Sequence, residues 1–414
     1  MRNKSLTWGS RRFLATITIG LILAQAAWAG PQYKVLHAFG AGTDGGGLWT
    51  SVSFDKKGNL YGATSGGGAY GYGVIFKLTR RADGTWTETT LHSFSNGDPN
   101  GSEPNGGLIQ DGLGNWYGTT HLGGAHDYGT VFQLTHRSGS WAELAVYKFG
   151  TQSGDGGEPT AGLVMDKAGN LYGTGPYGGA YNGGTVFELT PSAGGWDETV
   201  LYSFCPNTNC ADGHTPFAGL ILDASGNLYG TTYTGGAHKV DGTVYQLMPT
   251  PTGWKEKVLH SFAVNYKDGH TPGWGALLMD GSGNLYGTTA GGGCCGGIVF
   301  RLTPGPDGGW KETILYGFKG GAAGFEPGAG VVMDKSGNLY GTTVYGGSGC
   351  DCGVVYKLAP TATGKWKYTV LHTFTGSDGA QPDANLILDD KGNLYGTTAT
   401  GGASGAGVVF ELTP

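Results

Sequence analysis

The sequence predicts an all-β protein, a seven-bladed β-propeller of four-stranded antiparallel blades. Glycine supplies 84 of the 414 residues, which disfavours helices because each interior glycine costs a helix about 1 kcal/mol relative to alanine. A short motif recurs seven times at nearly constant spacing, and the two ends of the chain carry complementary parts of one repeat. Hydrophobic residues make up 38% of the chain and charged residues 14%, which argues against a disordered polymer.

The first 29 residues have the pattern of a cleaved signal peptide. Four basic residues precede an apolar run over 13–24, and Ala27-Trp28-Ala29 provides a small-x-small cleavage site. We therefore expect a secreted or periplasmic protein without stable membrane insertion. The Arg11-Arg12 pair lacks the usual spacer of a twin-arginine signal, so we favour the Sec route. Removing four basic residues shifts the net charge from −6 to −10, which argues against a nucleic-acid partner.

The remaining residues, 30–414, are predicted to form seven repeats of about 55 residues. Gly-Asn-Leu-Tyr-Gly, with tryptophan in place of leucine in the second copy, begins at positions 58, 114, 169, 226, 283, 337 and 392. Successive copies are separated by 54 to 57 residues. Seven such units use essentially the whole mature chain, so we expect no second domain.

Each unit contains four segments of strand length, which the third copy illustrates. They are segment a at 162–166, segment b at 170–174, segment c at 185–190 and segment d at 198–204. The Asp-x-x-Gly-Asn sequence between a and b predicts a tight hairpin. Both faces of segment c are apolar, because Phe187 and Leu189 point one way and Val186 points the other, as expected for a sheet covered on both sides.

The phase of the repeat favours a closed ring over a linear β-solenoid, which is the alternative fold. Residues 33–39 match segment d, and the last unit ends after its segment c. Pairing 33–39 with the last blade would complete that blade and remove an exposed edge. A linear solenoid would not explain why the chain begins with a segment d and ends without one.

The repeated Gly-Asn-Leu-Tyr-Gly-Thr-Thr…Gly-Gly…Gly-Thr-Val-Phe-x-Leu-Thr-Pro pattern resembles the bacterial GloVer tandem repeat. The resemblance covers essentially all of 33–414. It implies an exported repeat protein and carries no catalytic motif with it.

The b–c and d–a loops are expected at one end of the propeller, where they are the longer and more variable loops. Variable loops on a rigid scaffold commonly carry binding sites. Small residues open segment a, so we expect segment a beside the central axis. In six d–a loops a hydrogen-bonding residue precedes proline, and we expect proline to hold it in an extended conformation near the channel mouth. These six candidate ligand-binding residues are Glu103, Glu158, Thr215, Thr271, Glu326 and Gln381.

Tyrosines in the b–c loops are a second candidate set, because aromatic faces commonly hold sugar rings. The selected positions are Tyr128, Tyr181, Tyr233 and Tyr345. If the protein is an enzyme, the carboxylates of Glu103, Glu158 and Glu326 would be its acid and base. His214 and His270 could hold a metal, but we favour surface turns for both and predict neither a metal nor a cofactor.

All six cysteines follow the signal segment, and an oxidising compartment favours disulfides. Cys205 and Cys210 flank one loop and are predicted to be bridged. Cys294, Cys295, Cys350 and Cys352 lie in the b–c loops of consecutive blades. We favour disulfides between the two blades over a four-thiolate zinc site.

Three function classes are compatible with these observations. The leading one is a monomeric, non-catalytic propeller that binds a glycan, another polymer or a partner protein on its b–c/d–a face. The second is an extracytoplasmic glycan hydrolase or lyase with carboxylates at the channel mouth. The third is a structural surface protein, which the variation among the b–c loops disfavours.

Overall fold

The computed structural model describes residues 30–40, 42–263, 268–293 and 296–414. Residues 31–414 form one compact unit, in which the described residues contain β-strands and a single 3-10 turn at Gly321–Ala323. Among the described residues no helix has the length and apolar character needed to cross a membrane. The predicted signal peptide and its cleavage site lie outside the described residues.

The strands form seven antiparallel blades, and the strands of each blade are named a to d in the order of their hydrogen bonding. Blade 1 contains Ser53–Phe54, Leu60–Thr64, Val74–Arg80 and Trp86–Ser93. Blade 2 contains Ile109–Gln110, Trp116–Leu122, Thr130–Arg137 and Ser140–Lys148. Blade 3 contains Val164–Met165, Leu171–Gly175, Thr185–Ser192 and Gly195–Ser203. Blade 4 contains Ile221–Leu222, Leu228–Thr232, Thr243–Thr250 and Gly253–Ser261.

The same order continues through the last three blades. Blade 5 contains Leu278–Met279, Leu285–Gly292, Ile298–Pro304 and Trp310–Gly317. Blade 6 contains Val332–Met333, Leu339–Thr343, Val354–Pro360 and Trp366–Thr373. Blade 7 contains Ile387–Leu388, Leu394–Thr398 and Val408–Thr413, and Gln32–Ala38 is its strand d. The predicted fold class is therefore confirmed.

The N-terminal strand closes the ring as predicted. Gln32–Ala38 pairs antiparallel with Val408–Thr413, and Val35 lies opposite Phe410. The ring of Tyr33 stacks on His372 of blade 6, with centroids 3.8 Å apart and an angle of 2° between the planes. The Tyr33 hydroxyl also donates a 2.6 Å hydrogen bond to the carbonyl of Asp378. The first strand thus completes blade 7 and contacts blade 6.

The d–a loops run beside the C-terminal ends of the b strands. Ser102–Pro104 pairs with strand b of blade 2, and Gly269–Pro272 pairs with strand b of blade 5. Gly156–Gly157 pairs with Tyr177–Gly178, which follows strand b of blade 3. Single bridges such as Phe325 to Tyr345 and Ala380 to Thr400 take the same place in other blades. This pairing fixes the loop that leads into each strand a.

The repeated motif is explained by a hydrogen-bonded turn between strands a and b. In blade 3, Asp166 Oδ1 accepts the backbone N–H groups of Ala168 and Asn170 at 2.8 and 2.9 Å. Its Oδ2 accepts hydrogen bonds from the Asn170 side chain at 2.9 Å and the Tyr172 hydroxyl at 3.2 Å. Gly169 has a φ of 92°, which glycine adopts without strain. The motif therefore marks a structural turn at the end opposite the b–c loops.

The last glycine of the motif makes room for an aromatic ring of strand c. A Cβ atom at Gly173 would lie 2.5 Å from the Cζ atom of Phe187. Phe187 is fully buried, as is Val186 on the opposite face of the strand. Both faces of the blade are therefore covered, as the sequence predicted.

Apolar clusters fill the junctions between neighbouring blades. At the junction of blades 1 and 2, Phe94 packs with Leu108 and Phe132, and equivalent clusters occur at the other six junctions. Near the axis, hydroxyls of strand b reach the next blade, as when Thr119 Oγ1 donates to the carbonyl of Ala161 at 2.9 Å. Each blade thus packs against both of its neighbours through apolar and hydrogen-bonded contacts.

Polar clusters lie between the d strands of neighbouring blades. The Glu143 carboxyl of blade 2 is fully buried and lies 3.8 Å from His92 Nε2 of blade 1. At the equivalent place between blades 2 and 3, the Tyr147 hydroxyl donates to Asp155 Oδ2 at 3.0 Å, beside Glu198. Burial, with a smaller contribution from Asp98, raises the pKa of Glu143 to about 8. The surroundings of the carboxyl groups in these junctions therefore favour the protonated, neutral form.

The disulfide prediction is partly wrong. Cys205 and Cys210 are bridged, as predicted. Cys350 is bridged to Cys352 within its own loop, so these two residues do not cross to blade 5. The single intervening residue, Asp351, has a φ of 61° and gives a Cα separation of 5.2 Å, within the ordinary disulfide range. Cys294 and Cys295 lie outside the described residues.

Candidate functional site

A cavity of about 730 Å³ lies where the seven blades converge, and every blade contributes to its wall. Its lining is formed largely by the residues that lead into the a strands, such as 49–53, 160–164 and 273–276. Segment a therefore lies beside the axis, as predicted. Side chains from the b–c and d–a loops also line the cavity, which places one end of it at the loop face.

The six residues that precede proline do not have the extended backbone that we expected. All have positive φ, between 51° and 60°, and this left-handed conformation is uncommon for residues other than glycine. The equivalent position of blade 1 is Gly47, with a φ of 73°. The strained residues are Glu103, Glu158, Thr215, Thr271, Glu326 and Gln381.

Backbone hydrogen bonds to two blades explain this conformation. The N–H of Glu326 donates to the carbonyl of Gly296 in blade 5 at 2.8 Å. The carbonyl of Glu326 accepts from the N–H of Val344 in its own blade at 3.0 Å. Glu103 donates in the same way to Tyr72 of the preceding blade at 3.0 Å. These contacts override the preference for extended backbone before proline.

The structure brings four of the ten candidate ligand residues to the cavity wall. Glu326, Gln381, Tyr233 and Tyr345 line it. The other six, Glu103, Glu158, Thr215, Thr271, Tyr128 and Tyr181, are outside that lining. The expectation that all six residues before proline converge on one axis is therefore not met.

Local contacts account for several of the side chains outside the lining. Glu158 Oε2 lies 3.8 Å from His121 Nε2. The Thr271 hydroxyl lies 2.6 Å from the carbonyl of His270, and the hydroxyl of Thr215 contacts the ring of His214. Tyr128 packs against the d–a loop at Gly157. These contacts hold the two threonines against their own loops and hold Glu158 and Tyr128 at the junction of blades 2 and 3.

Residues directly after the prolines form much of the wall and were missed by the sequence reasoning. Asn105, Thr160, Phe217, Gly328 and Asp383 occupy this position in five blades. In blade 1 the corresponding residue is Trp49, and blade 5 has Gly273-Trp274 with one additional residue. The residue at this position differs in size and chemistry between copies, whereas the residues around it repeat. This variation is the sequence feature from which the cavity wall could have been predicted.

Aromatic rings form one part of the wall. Phe217 lies 5.9 Å from Trp274 and 5.6 Å from Tyr233, measured between ring centroids. Trp274 is 53% exposed and Trp49 is 42% exposed, which is unusual for tryptophan. These rings supply aromatic surface to the cavity wall.

Acidic and amide side chains from blades 6 and 7 form another part of the wall. Asp383 lies against the backbone of the neighbouring blade, where a Cβ atom at Gly328 would be 1.8 Å from its Oδ1. Burial, with a smaller contribution from Glu326, raises the pKa of Asp383 to about 7. Burial also raises the pKa of Glu326 above its usual range. Asn385 Oδ1 accepts a 2.7 Å hydrogen bond from the N–H of Gly330.

The candidate metal residues His214 and His270 remain apart from any metal-ligand cluster among the described residues. Within the same residues, His260, Asp268 and Glu312 have ligand atoms within 4.8 Å of one another. This group occupies the junction of blades 4 and 5. It takes the place that His92 and Glu143 have between blades 1 and 2 and that Tyr147, Asp155 and Glu198 have between blades 2 and 3. It therefore belongs to the repeated packing between blades.

Solved structures similar to this chain share its fold at low identity. The extracellular domain of a candidate hybrid two-component system from B. thetaiotaomicron is 12% identical, with a TM-score of 0.54 over 91% of this chain and 39% of that one. PorZ, a surface component of the type-IX secretion system of Porphyromonas gingivalis, is 16% identical, with a TM-score of 0.51 over 88% and 46%. The present chain thus spans less than half of each of these proteins.

A candidate 6-phosphogluconolactonase from Bacteroides uniformis is similar along nearly its whole length. It is 14% identical, with a TM-score of 0.51 over 84% of this chain and 88% of that one. At these identities the similarity concerns the fold and not the chemistry of the site. The comparison with curated proteins gives no match.

The family comparison is more specific, because it concerns the sequence of the repeat. The model of the Gloeobacter/Verrucomicrobia repeat matches residues 23–240 and 294–414, well over half of the chain. The resemblance predicted from the repeated motif is confirmed. This protein belongs to the Gloeobacter/Verrucomicrobia repeat family.

Proposed function

We propose that this propeller is a binding protein whose central cavity holds a segment of a glycan. The supporting observation is the combination of exposed aromatic rings with carboxyl and amide groups in one cavity of about 730 Å³. Aromatic faces pack against the apolar faces of sugar rings, and carboxyl and amide groups accept and donate hydrogen bonds to hydroxyls. Pockets that combine apolar walls with a few polar groups are typical ligand sites.

The backbone strain beside the cavity supports the same proposal. Gly47 shows that glycine fits the position before strand a, yet six blades have larger side chains there at positive φ. Residues in strained conformations cluster at functional sites. Glu326 and Gln381 are strained residues that also line the cavity.

Binding to a panel of oligosaccharides, followed by calorimetry, tests this proposal. Trp274→Ala and Trp49→Ala are expected to weaken the binding of a retained glycan about ten-fold each, because a stacked aromatic ring is lost. Tyr70→Ala is the matched control: Tyr70 is 64% exposed on the same loop face and is not part of the lining. Equal losses in all three variants would place the site outside the cavity.

A second candidate function is glycan hydrolysis or elimination at the same place. Its supporting observation is the pair Glu326 and Asp383, since a carboxyl with a pKa of about 7 beside a second carboxyl suits general acid–base catalysis. Release of reducing ends or unsaturated sugars from a bound glycan would support this function. Loss of that turnover in Asp383→Asn, with binding retained, would identify the carboxyl as its acid or base. Binding without turnover favours the non-catalytic role.

We further propose that the protein is exported. The two disulfides among the described residues fit an oxidising compartment. Two proteins of similar fold are described as an extracellular domain and as a bacterial surface component. Cell fractionation with N-terminal sequencing tests this: a mature chain beginning after Ala29 outside the cytoplasm is expected, and a full-length cytoplasmic chain would contradict it.

A further inference from the structure

The cavity wall contains acidic side chains without basic ones. Glu326 and Asp383 line it, whereas its lining includes no lysine, arginine or histidine among the residues that the structure describes. The nearby amides, Asn105, Gln381 and Asn385, are uncharged. A ligand in this cavity therefore meets negative charge that no lining side chain balances.

The two carboxyls interact unfavourably when both are ionised. Asp383 lies over Gly328, two residues beyond Glu326, and each carboxyl is withdrawn from solvent in part. Asp383 Oδ1 is fully covered and accepts no hydrogen bond from the described residues. Like charges held close together are relieved either by retaining a proton or by a neighbouring cation. A cationic group of the ligand would supply the positive charge that the wall lacks.

The aromatic rings of the same wall favour an organic cation over a hydrated metal ion. Trp49, Phe217, Trp274 and Tyr233 can present ring faces to the cavity. The faces of aromatic rings attract ammonium groups, and aromatic cages are a common means of binding them. Calcium instead takes six to eight oxygen ligands. Within the described residues, Glu326 and Asp383 do not belong to a cluster of three possible metal ligands.

We propose that the glycan bound in this cavity is an amino sugar, whose ammonium group lies beside Glu326 and Asp383. This inference rests on the proposed glycan-binding function and specifies its ligand. The sugar rings would pack against the aromatic part of the wall, and the ammonium would donate hydrogen bonds to the carboxylates. Glycans with anionic groups would be excluded by the same pair.

Three β-1,4-linked oligosaccharides of equal length separate the amino-sugar proposal from the general glycan-binding proposal. They are the oligosaccharides of glucosamine, N-acetylglucosamine and glucose. Calorimetry at neutral pH is expected to show the glucosamine form binding about ten-fold more tightly than the other two. The double variant Glu326→Gln, Asp383→Asn should lose this preference while it keeps its affinity for the neutral forms. Asp390→Asn, an exposed carboxyl in the a–b turn of blade 7, controls for the loss of negative charge.

The outcomes distinguish failure of the inference from failure of the function. If the three oligosaccharides bind equally well, the cavity is a glycan site without amino-sugar preference, and the inference is overturned. If the preference survives in the double variant at unchanged melting temperature, the ammonium lies elsewhere and the inference is also overturned. If none of the three binds, the glycan-binding proposal fails for these sugars and the inference fails with it.

Discussion

The carboxyl group of Asp383 occupies the space that a side chain at Gly328 would need. A Cβ atom at Gly328 would lie 1.8 Å from Asp383 Oδ1 and 3.2 Å from Val344. The first separation is far below any van der Waals contact, so the carboxyl and this glycine depend on each other. Two neighbouring blades thereby shape the acidic part of the cavity together.

Gly328→Ala is therefore expected to displace the Asp383 carboxyl without disturbing the propeller. The backbone of Gly328 is outside the left-handed region, so alanine is tolerated there, and the melting temperature should change by no more than a few degrees. Affinity for the bound glycan should fall about ten-fold, as in Asp383→Ala. Unchanged affinity in Gly328→Ala, measured by calorimetry, would separate Asp383 from the binding site.

The second prediction concerns ring closure through Tyr33. Tyr33→Ala removes the stack on His372 and the hydrogen bond to Asp378, and we expect a loss of about 2–4 kcal/mol of stability. Thermal unfolding checks this, with Lys34→Ala as the control because Lys34 is exposed on the same strand. Deletion of 33–39 should cause aggregation, since it exposes the edge of Val408–Thr413. A deletion variant that stays monomeric and equally stable would argue against the closed ring.

The third prediction concerns the left-handed residues before proline. Glu103→Gly should raise the free energy of unfolding by about 0.5–1 kcal/mol, because glycine adopts a φ of 55° without strain. The reverse change in blade 1, Gly47→Glu, should lower it by about 1–2 kcal/mol. Denaturant unfolding measures both. If Glu103→Gly is as destabilising as Gly47→Glu, the Glu103 side chain stabilises its loop and the strain argument fails.

The fourth prediction concerns pH. Burial raises the pKa of Glu143 to about 8 and those of Glu198, Glu256 and Glu312 to about 7, whereas an unfolded glutamate titrates near 4.3. The folded protein therefore binds more protons than the unfolded chain up to about pH 8, and its stability must fall as the pH rises through this range. Partial burial lowers the pKa values of histidines such as His92. This shift makes stability rise with pH, but only below about pH 6.5, where an unfolded histidine binds its proton.

The melting temperature should thus decrease by several degrees between about pH 6.5 and pH 9. Glu143→Gln should reduce this decrease, because the amide keeps the neutral form of a fully buried side chain. Asp390→Asn, at an exposed position, should leave the pH profile unchanged. A melting temperature that rises over this range would contradict the titration of the junction carboxyls.

The fold could be predicted from the sequence because the repeat encodes its own contacts. The Asp166–Asn170 turn and the fit of Phe187 over Gly173 require those residue types, so they recur in the sequence. The cavity wall was harder to predict because its chemistry lies where the copies differ. Asp383 and Trp274 follow the prolines of their loops, whereas predicted residues such as Glu103 and Glu158 precede them. The left-handed backbone before proline was also unpredictable, because it depends on hydrogen bonds from a neighbouring blade.

The central claim is that the ligand occupies the cavity where the blades converge. A crystal structure of the protein with a bound β-1,4-linked oligosaccharide tests it most directly. We predict sugar rings against Trp49 or Trp274 and a hydrogen bond to Asp383. A sugar bound instead on the exposed b–c tyrosines, Tyr128 and Tyr181, or at the a–b turns would contradict the claim.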